Sequence, residues 1–124
     1  MLNLDMFTGT EQYHSMGQLF NNAVVTDGVK YIMDNGYSWL VTDALSVIVC
    51  TKNAIVNKAR LIQKLRSEQF LVIELILKKN DEKIMQISDG NGKVLYKQEY
   101  GFTDADTEVK LYFTDNVMLL PSEW

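Results

Sequence analysis

This 124-residue sequence predicts an α+β fold, with N-terminal short helices packed on one face of an antiparallel sheet of about five strands. Three observations predict it. Apolar residues across 26–50 recur at helical spacing around a break at Asn35-Gly36. From Glu68 onward the pattern changes to runs rich in branched and aromatic residues. Asp89-Gly90-Asn91-Gly92 and Asp115-Asn116 then punctuate those runs as hairpin turns would. Helices first and strands afterwards give the α+β layout, and residues 1–124 read as one domain with no linker or repeat.

The elements follow in order. Thr8 with Glu11 three residues later makes a capping box, which predicts a short helix from about Gly9 to Met16, stopped at Gly17. A short strand is expected near Asn22–Thr26. Thr26 or Asp27 is a good N-cap for a helix carrying Val29, Ile32 and Met33 on one side, and Gly36 suits its end. A second helix begins at Ser38, with Leu40, Ala44, Val47 and Ile48 as its inner stripe and Trp39 and Asp43 on the neighbouring row. A third is expected over 51–66, with Asn53 as N-cap and Ile55, Ala59, Ile62 and Leu65 on one face.

Glu68–Lys78 alternates Leu71, Ile73, Leu75 and Leu77 against Phe70, Val72 and Ile76, which predicts a central strand largely covered on both sides. Lys83–Ser88 returns beside it. Asn91-Gly92 tolerates the positive φ angles of a tight hairpin, and Lys93–Tyr100 follows with Val94, Tyr96 and Tyr100 on one face. Thr103–Glu108 is an acidic loop. Val109–Thr114 and Val117–Leu120 pair around Asp115-Asn116, and Pro121 ends the sheet.

Composition bounds the function classes. The single cysteine, Cys50, excludes an intrachain disulfide, and the first dozen residues lack the basic and apolar regions of a signal peptide. No apolar run approaches the roughly 20 residues needed to span a bilayer. The expected location is therefore cytoplasmic. The net charge of −4 conceals a split. Residues 51–66 carry Lys52, Lys58, Arg60, Lys64 and Arg66 and no acid, leaving 7 basic against 16 acidic residues elsewhere. Such a basic segment suits RNA phosphates or an acidic protein surface, and the acidic remainder resists general nucleic-acid binding. It holds no aromatic residue, so phosphate contact rather than base stacking is the mechanism it suits.

Candidate chemistry is sparse. His14 is the only histidine and no motif supplies it with a nucleophile. Cys50 closes an apolar helix as an inert thiol would, and one His with one Cys does not make a zinc site. Asp104, Asp106 and Glu108 lack the glycine and terminal glutamate of a calcium loop. No glycine motif joins a strand to a helix as a phosphate cradle does. Asp43 is the acid of interest: within an apolar helix it is either at the edge of the buried face or bonded to a donor such as Trp39, Tyr37 or a backbone amide, and a buried acid can be functional. These residues point to binding, without cofactor or metal, rather than to an enzyme.

Phe7-Thr8-Gly9-Thr10-Glu11, Thr26-Asp27-Gly28-Val29-Lys30-Tyr31, Trp39-Leu40 with Asp43-Ala44, Asp89-Gly90-Asn91-Gly92, and Leu119-Leu120-Pro121-Ser122-Glu123 form an ordered set across nearly the whole chain. It resembles an uncharacterised family of small proteins from bacteria, phages and mobile elements, whose pattern runs FTGTE, TDGVKYL, WLLDAI, DGNG, LLPSE. This chain carries one more residue between Trp39 and Asp43, and its basic segment has no counterpart in the pattern. The resemblance implies a phage or mobile-element inhibitor of a host defence nuclease, of the anti-CRISPR type. Its partner would be an RNA-guided effector, contacted with its guide RNA through Lys52, Lys58, Arg60, Lys64 and Arg66. The alternative is a small accessory or structural protein that self-associates; an enzyme acting on nucleotides or nucleic acids through His14 and Asp43 is the third reading.

Overall fold

The computed structural model describes residues 12–49, 69–78, 82–100 and 107–124. Among them are seven strands: β1 (Tyr13–Ser15), β2 (Val24–Thr26), β3 (Phe70–Leu77), β4 (Lys83–Asp89), β5 (Val94–Tyr100), β6 (Val109–Thr114) and β7 (Val117–Leu119). They form one sheet in the order β1-β2-β7-β6-β3-β4-β5, antiparallel except where β2 runs parallel to β7. Two helices, α1 (Asp27–Ile32) and α2 (Ser38–Ile48), are joined by a kinked segment, Met33–Tyr37, that winds with wide turns. None of the described helices is long and apolar enough to cross a membrane.

The helices form where local chemistry favours them. The Thr26 hydroxyl accepts the Val29 N–H at 3.4 Å and caps α1. Asn35 (φ −110°) and Gly36 (φ +96°) leave helical geometry between the helices. Gly36 takes the left-handed conformation that side-chain-bearing residues avoid. Leu40, Val41, Ala44, Leu45 and Ile48 of α2 are buried against one sheet face, built from Leu71, Ile73 and Leu75 of β3, Met85 and Ile87 of β4, and Val109 and Leu111 of β6. Cross-strand register places these strand residues together, Leu71 beside Phe113 and Ile73 beside both Ile87 and Leu111.

The structure corrects several expectations. Tyr13–Ser15 is a strand, not the end of a helix: Tyr13 pairs with Thr26 and Ser15 with Val24. Tertiary pairing to β2 supplies the backbone partners that a capped helix would have supplied locally, and the proposed cap, Thr8 with Glu11, lies outside the described residues. Among the described residues the sheet therefore has seven strands rather than five, the meander extended by β2 and β1 beyond β7. The α-helical part of the described residues is one six-residue and one eleven-residue helix joined through a kink. The third helix, over 51–66, lies outside the described residues.

Two details of the sheet also differ. In the first hairpin only Gly92 has positive φ (+87°). The Asp89 carboxylate accepts the Asn91 and Lys93 N–H groups at 2.8 and 2.9 Å, so a side chain shapes that turn. A bulge follows, because Ser88 pairs with Val94 and Ile87 with Tyr96. Leu95 is the extra residue, and it moves Val94 to the opposite face from Tyr96 and Tyr100. The second face of β3 is also less covered than expected, with Phe70, Val72 and Ile76 only half-buried.

Candidate functional site

Asp43 projects from α2 toward β5, where the Tyr100 hydroxyl donates to its Oδ2 at 2.8 Å. The donor is thus neither Trp39 nor Tyr37. Trp39 Nε1 donates instead to the Gly36 carbonyl at 2.8 Å, closing the kink, and its ring meets Tyr100 edge-on with centroids 4.9 Å apart. Tyr37 lies 6.3 Å from Trp39. Tyr96, four residues before Tyr100 on the same face, donates to Gln98 Oε1 at 3.0 Å. Burial, the bond to Asp43 and the Asp43 charge push the Tyr100 phenol above its ordinary range, and burial and Asp43 push Tyr96 the same way. A phenol held protonated beside a carboxylate is a donor and not a base. The pair ties the long helix to the last strand of the sheet.

A second cluster joins the Thr26-Asp27-Gly28 stretch to the end of the chain. Glu123 Oε1 accepts the Thr26 hydroxyl at 2.6 Å and the Leu120 N–H at 3.0 Å. Its Oε2 accepts the Gly28 N–H at 3.1 Å. A carboxylate taking a free N–H in the first turn of a helix, here that of Gly28 in α1, is the arrangement that partial positive charge favours there. Asp27 faces the other way: its Oδ1 meets His14 Nε2 at 3.0 Å and its Oδ2 accepts the Gln12 N–H at 3.2 Å. His14 is therefore placed by β1 against the start of α1, with a carboxylate partner and, among the described residues, no nucleophile bonded to it.

The third cluster lies on the other sheet face and was missed at the sequence level. Phe70 of β3 and Tyr112 of β6 stand 4.8 Å apart, and Trp124 meets both edge-on at 5.2 and 6.2 Å. Trp124 keeps 72% of its surface exposed. Lys110 Nζ sits 5.9 Å from the Tyr112 ring centre, a cation at the rim of the aromatic group. Alternation along β3 and β6 puts Phe70 and Tyr112 on one face; nothing in the sequence says that Trp124 folds back over them. Among the described residues no group of three or more His, Cys, Asp or Glu side chains converges to hold a metal ion.

Lys52, Lys58, Arg60, Lys64 and Arg66 all lie outside the described residues, as do Cys50, Asp104 and Asp106. Of the sequence-predicted candidates, Asp43 and His14 are described, and the structure pairs them with Tyr100 and Asp27 rather than with each other. Glu108, the last acid of the 103–108 loop, accepts the Leu77 N–H at 3.2 Å.

A family model described as a family of unknown function (DUF6876) matches residues 2–124. No curated protein and no solved structure matches the chain.

Proposed function

Because the chain belongs to the DUF6876 family of unknown function, we propose its function from its own residues: a non-enzymatic binding protein that docks on its partner through Phe70, Tyr112 and Trp124. The observation that carries this reading is the exposure of Trp124 over two further rings with Lys110 beside them. Aromatic residues concentrate binding energy at interfaces, because they bury large areas at little conformational cost. The bonding of Asp43 to Tyr100 and of Asp27 to His14 supports the same reading, since each acid has a structural use.

The partner we propose is a nuclease of a host defence system, of the RNA-guided type. Two features support it: the motif resemblance to proteins of phages and mobile elements, and the acidic balance of −4, which suits competition for a basic nucleic-acid channel. In this reading Lys58, Arg60, Lys64 and Arg66 engage guide-RNA phosphates or an acidic patch of the effector, and the protein works in the cytoplasm. The test is a target-cleavage reaction with a purified RNA-guided nuclease, titrated with wild-type protein, Trp124→Ala and an Arg60→Glu/Lys64→Glu variant. Wild type should inhibit, and Trp124→Ala should weaken inhibition by tenfold or more, on the order of a hot-spot loss. Equal potency of Trp124→Ala and wild type removes the aromatic cluster from the interface. Unchanged potency of the charge-reversal variant removes the basic segment.

A further inference from the structure

β5 ends the sheet: among the described residues no strand pairs with its outer side. At seven residues it is long for an edge, and an edge strand presents unpaired backbone groups to any strand of matching register. Its sequence carries the register. Beyond the Leu95 bulge the strand is regular from Tyr96 to Tyr100. Exposed Lys97 and Glu99 project on one face and half-buried Tyr96, Gln98 and Tyr100 on the other.

We propose that β5 pairs antiparallel with β5 of a second copy of this chain, centred on Gln98. In that register Lys97 stands opposite Glu99 of the partner subunit, and Glu99 stands opposite Lys97 of the partner subunit. Tyr96 and Tyr100 face each other in the same way on the other side. Opposite charges directly across an antiparallel pair are favourable and like charges are not. Shifting the centre to Lys97 would set two lysines against each other, and to Glu99 two glutamates. Charge thus selects one register, and two-fold symmetry satisfies both pairs at once. An edge guarded only against pairing would carry like charges or a proline; the bulge lies outside the five paired residues. The contact is small, so the dimer is of micromolar order rather than permanent. It joins two sheets edge to edge.

Sedimentation equilibrium of wild type, Lys97→Glu, and the exchange variant Lys97→Glu/Glu99→Lys tests this, with circular dichroism confirming that each is folded. Wild type should show a concentration-dependent dimer. Lys97→Glu sets glutamate against Glu99 twice and should raise the dissociation constant about tenfold. The exchange variant restores both opposite-charge pairs and should dimerise as wild type does. A chain monomeric up to about 1 mM, a dimer indifferent to Lys97→Glu, or an exchange variant that stays monomeric while folded overturns the proposal.

Discussion

Glu123 and Gly28 are 95 residues apart in the chain, and the Gly28 N–H donates to Glu123 Oε2 at 3.1 Å. The contact is close because position 28 has no side chain. A Cβ there would lie 2.5 Å from both Glu123 Oε1 and Leu120 Cδ1. Two short motifs at opposite ends of the sequence are thus one structural feature. Thr26 adds its hydroxyl to the same carboxylate.

Gly28→Ala is therefore expected to be destabilising although alanine is the better helix former. The overpacking should cost about 1–3 kcal/mol, lowering the thermal midpoint by several degrees. Glu123→Gln keeps the shape and part of the bonding and should cost less. A Gly28→Ala protein melting at or above wild type would show that the contact is not tight.

Asp43 and Tyr100 should be coupled. Asp43→Ala and Tyr100→Phe each remove one side of the 2.8 Å bond, and a double-mutant cycle in urea should return a coupling of roughly 0.5–3 kcal/mol. Strict additivity would mean the bond contributes nothing to holding α2 on β5.

The same pair sets a pH dependence. The folded state raises the Tyr100 phenol above its ordinary value of 10.0, so it binds that proton more tightly than the unfolded chain does. The associated stability is present below about pH 10 and is lost as pH rises toward the folded-state value. Tyr96, raised by burial and Asp43, contributes in the same direction. Denaturation curves between about pH 9 and 11.5 should show stability falling, and falling less in Tyr100→Phe. Equal slopes for the two proteins would exclude Tyr100 as a source.

The β6–β7 turn offers a separate test. Asp115 and Asn116 both take left-handed backbone angles, with φ of +52° and +62°. Asn116 Nδ2 also donates to the Asn21 carbonyl at 3.0 Å, tying the turn to the connection before β2. Asp115→Gly should be neutral or slightly stabilising, because glycine takes those angles freely. Asp115→Val should cost about 1–2 kcal/mol, and Asn116→Gly should cost the side-chain bond. Thermal melts that rank the three variants in any other order would contradict this account.

Much of the fold is written locally. Thr26 as a cap, Gly36 as a break, Ser38 as the start of α2 and Asp115-Asn116 as a hairpin turn each rest on short-range backbone chemistry, which neighbouring residues alone decide. The alternation of β3 likewise separated its two faces, though only the structure shows that the Leu71, Ile73 and Leu75 face is the buried one. The misses have a common cause. Tyr13–Ser15 takes its conformation from β2, Val94 changes face because β4 and β5 pair with a bulge, and Asp43 finds its donor 57 residues downstream.

The sequence by itself determined the class, the helical pair, the turns and the absence of an intrachain disulfide, because periodicity and composition act within a few residues. Only the tertiary structure decided which distant groups meet: Glu123 with Gly28, Asp43 with Tyr100, and Trp124 with Phe70 and Tyr112. Those pairings depend on strand order and register, which are settled by the cooperative burial of one sheet face against α2 and leave no mark on any short stretch of the chain.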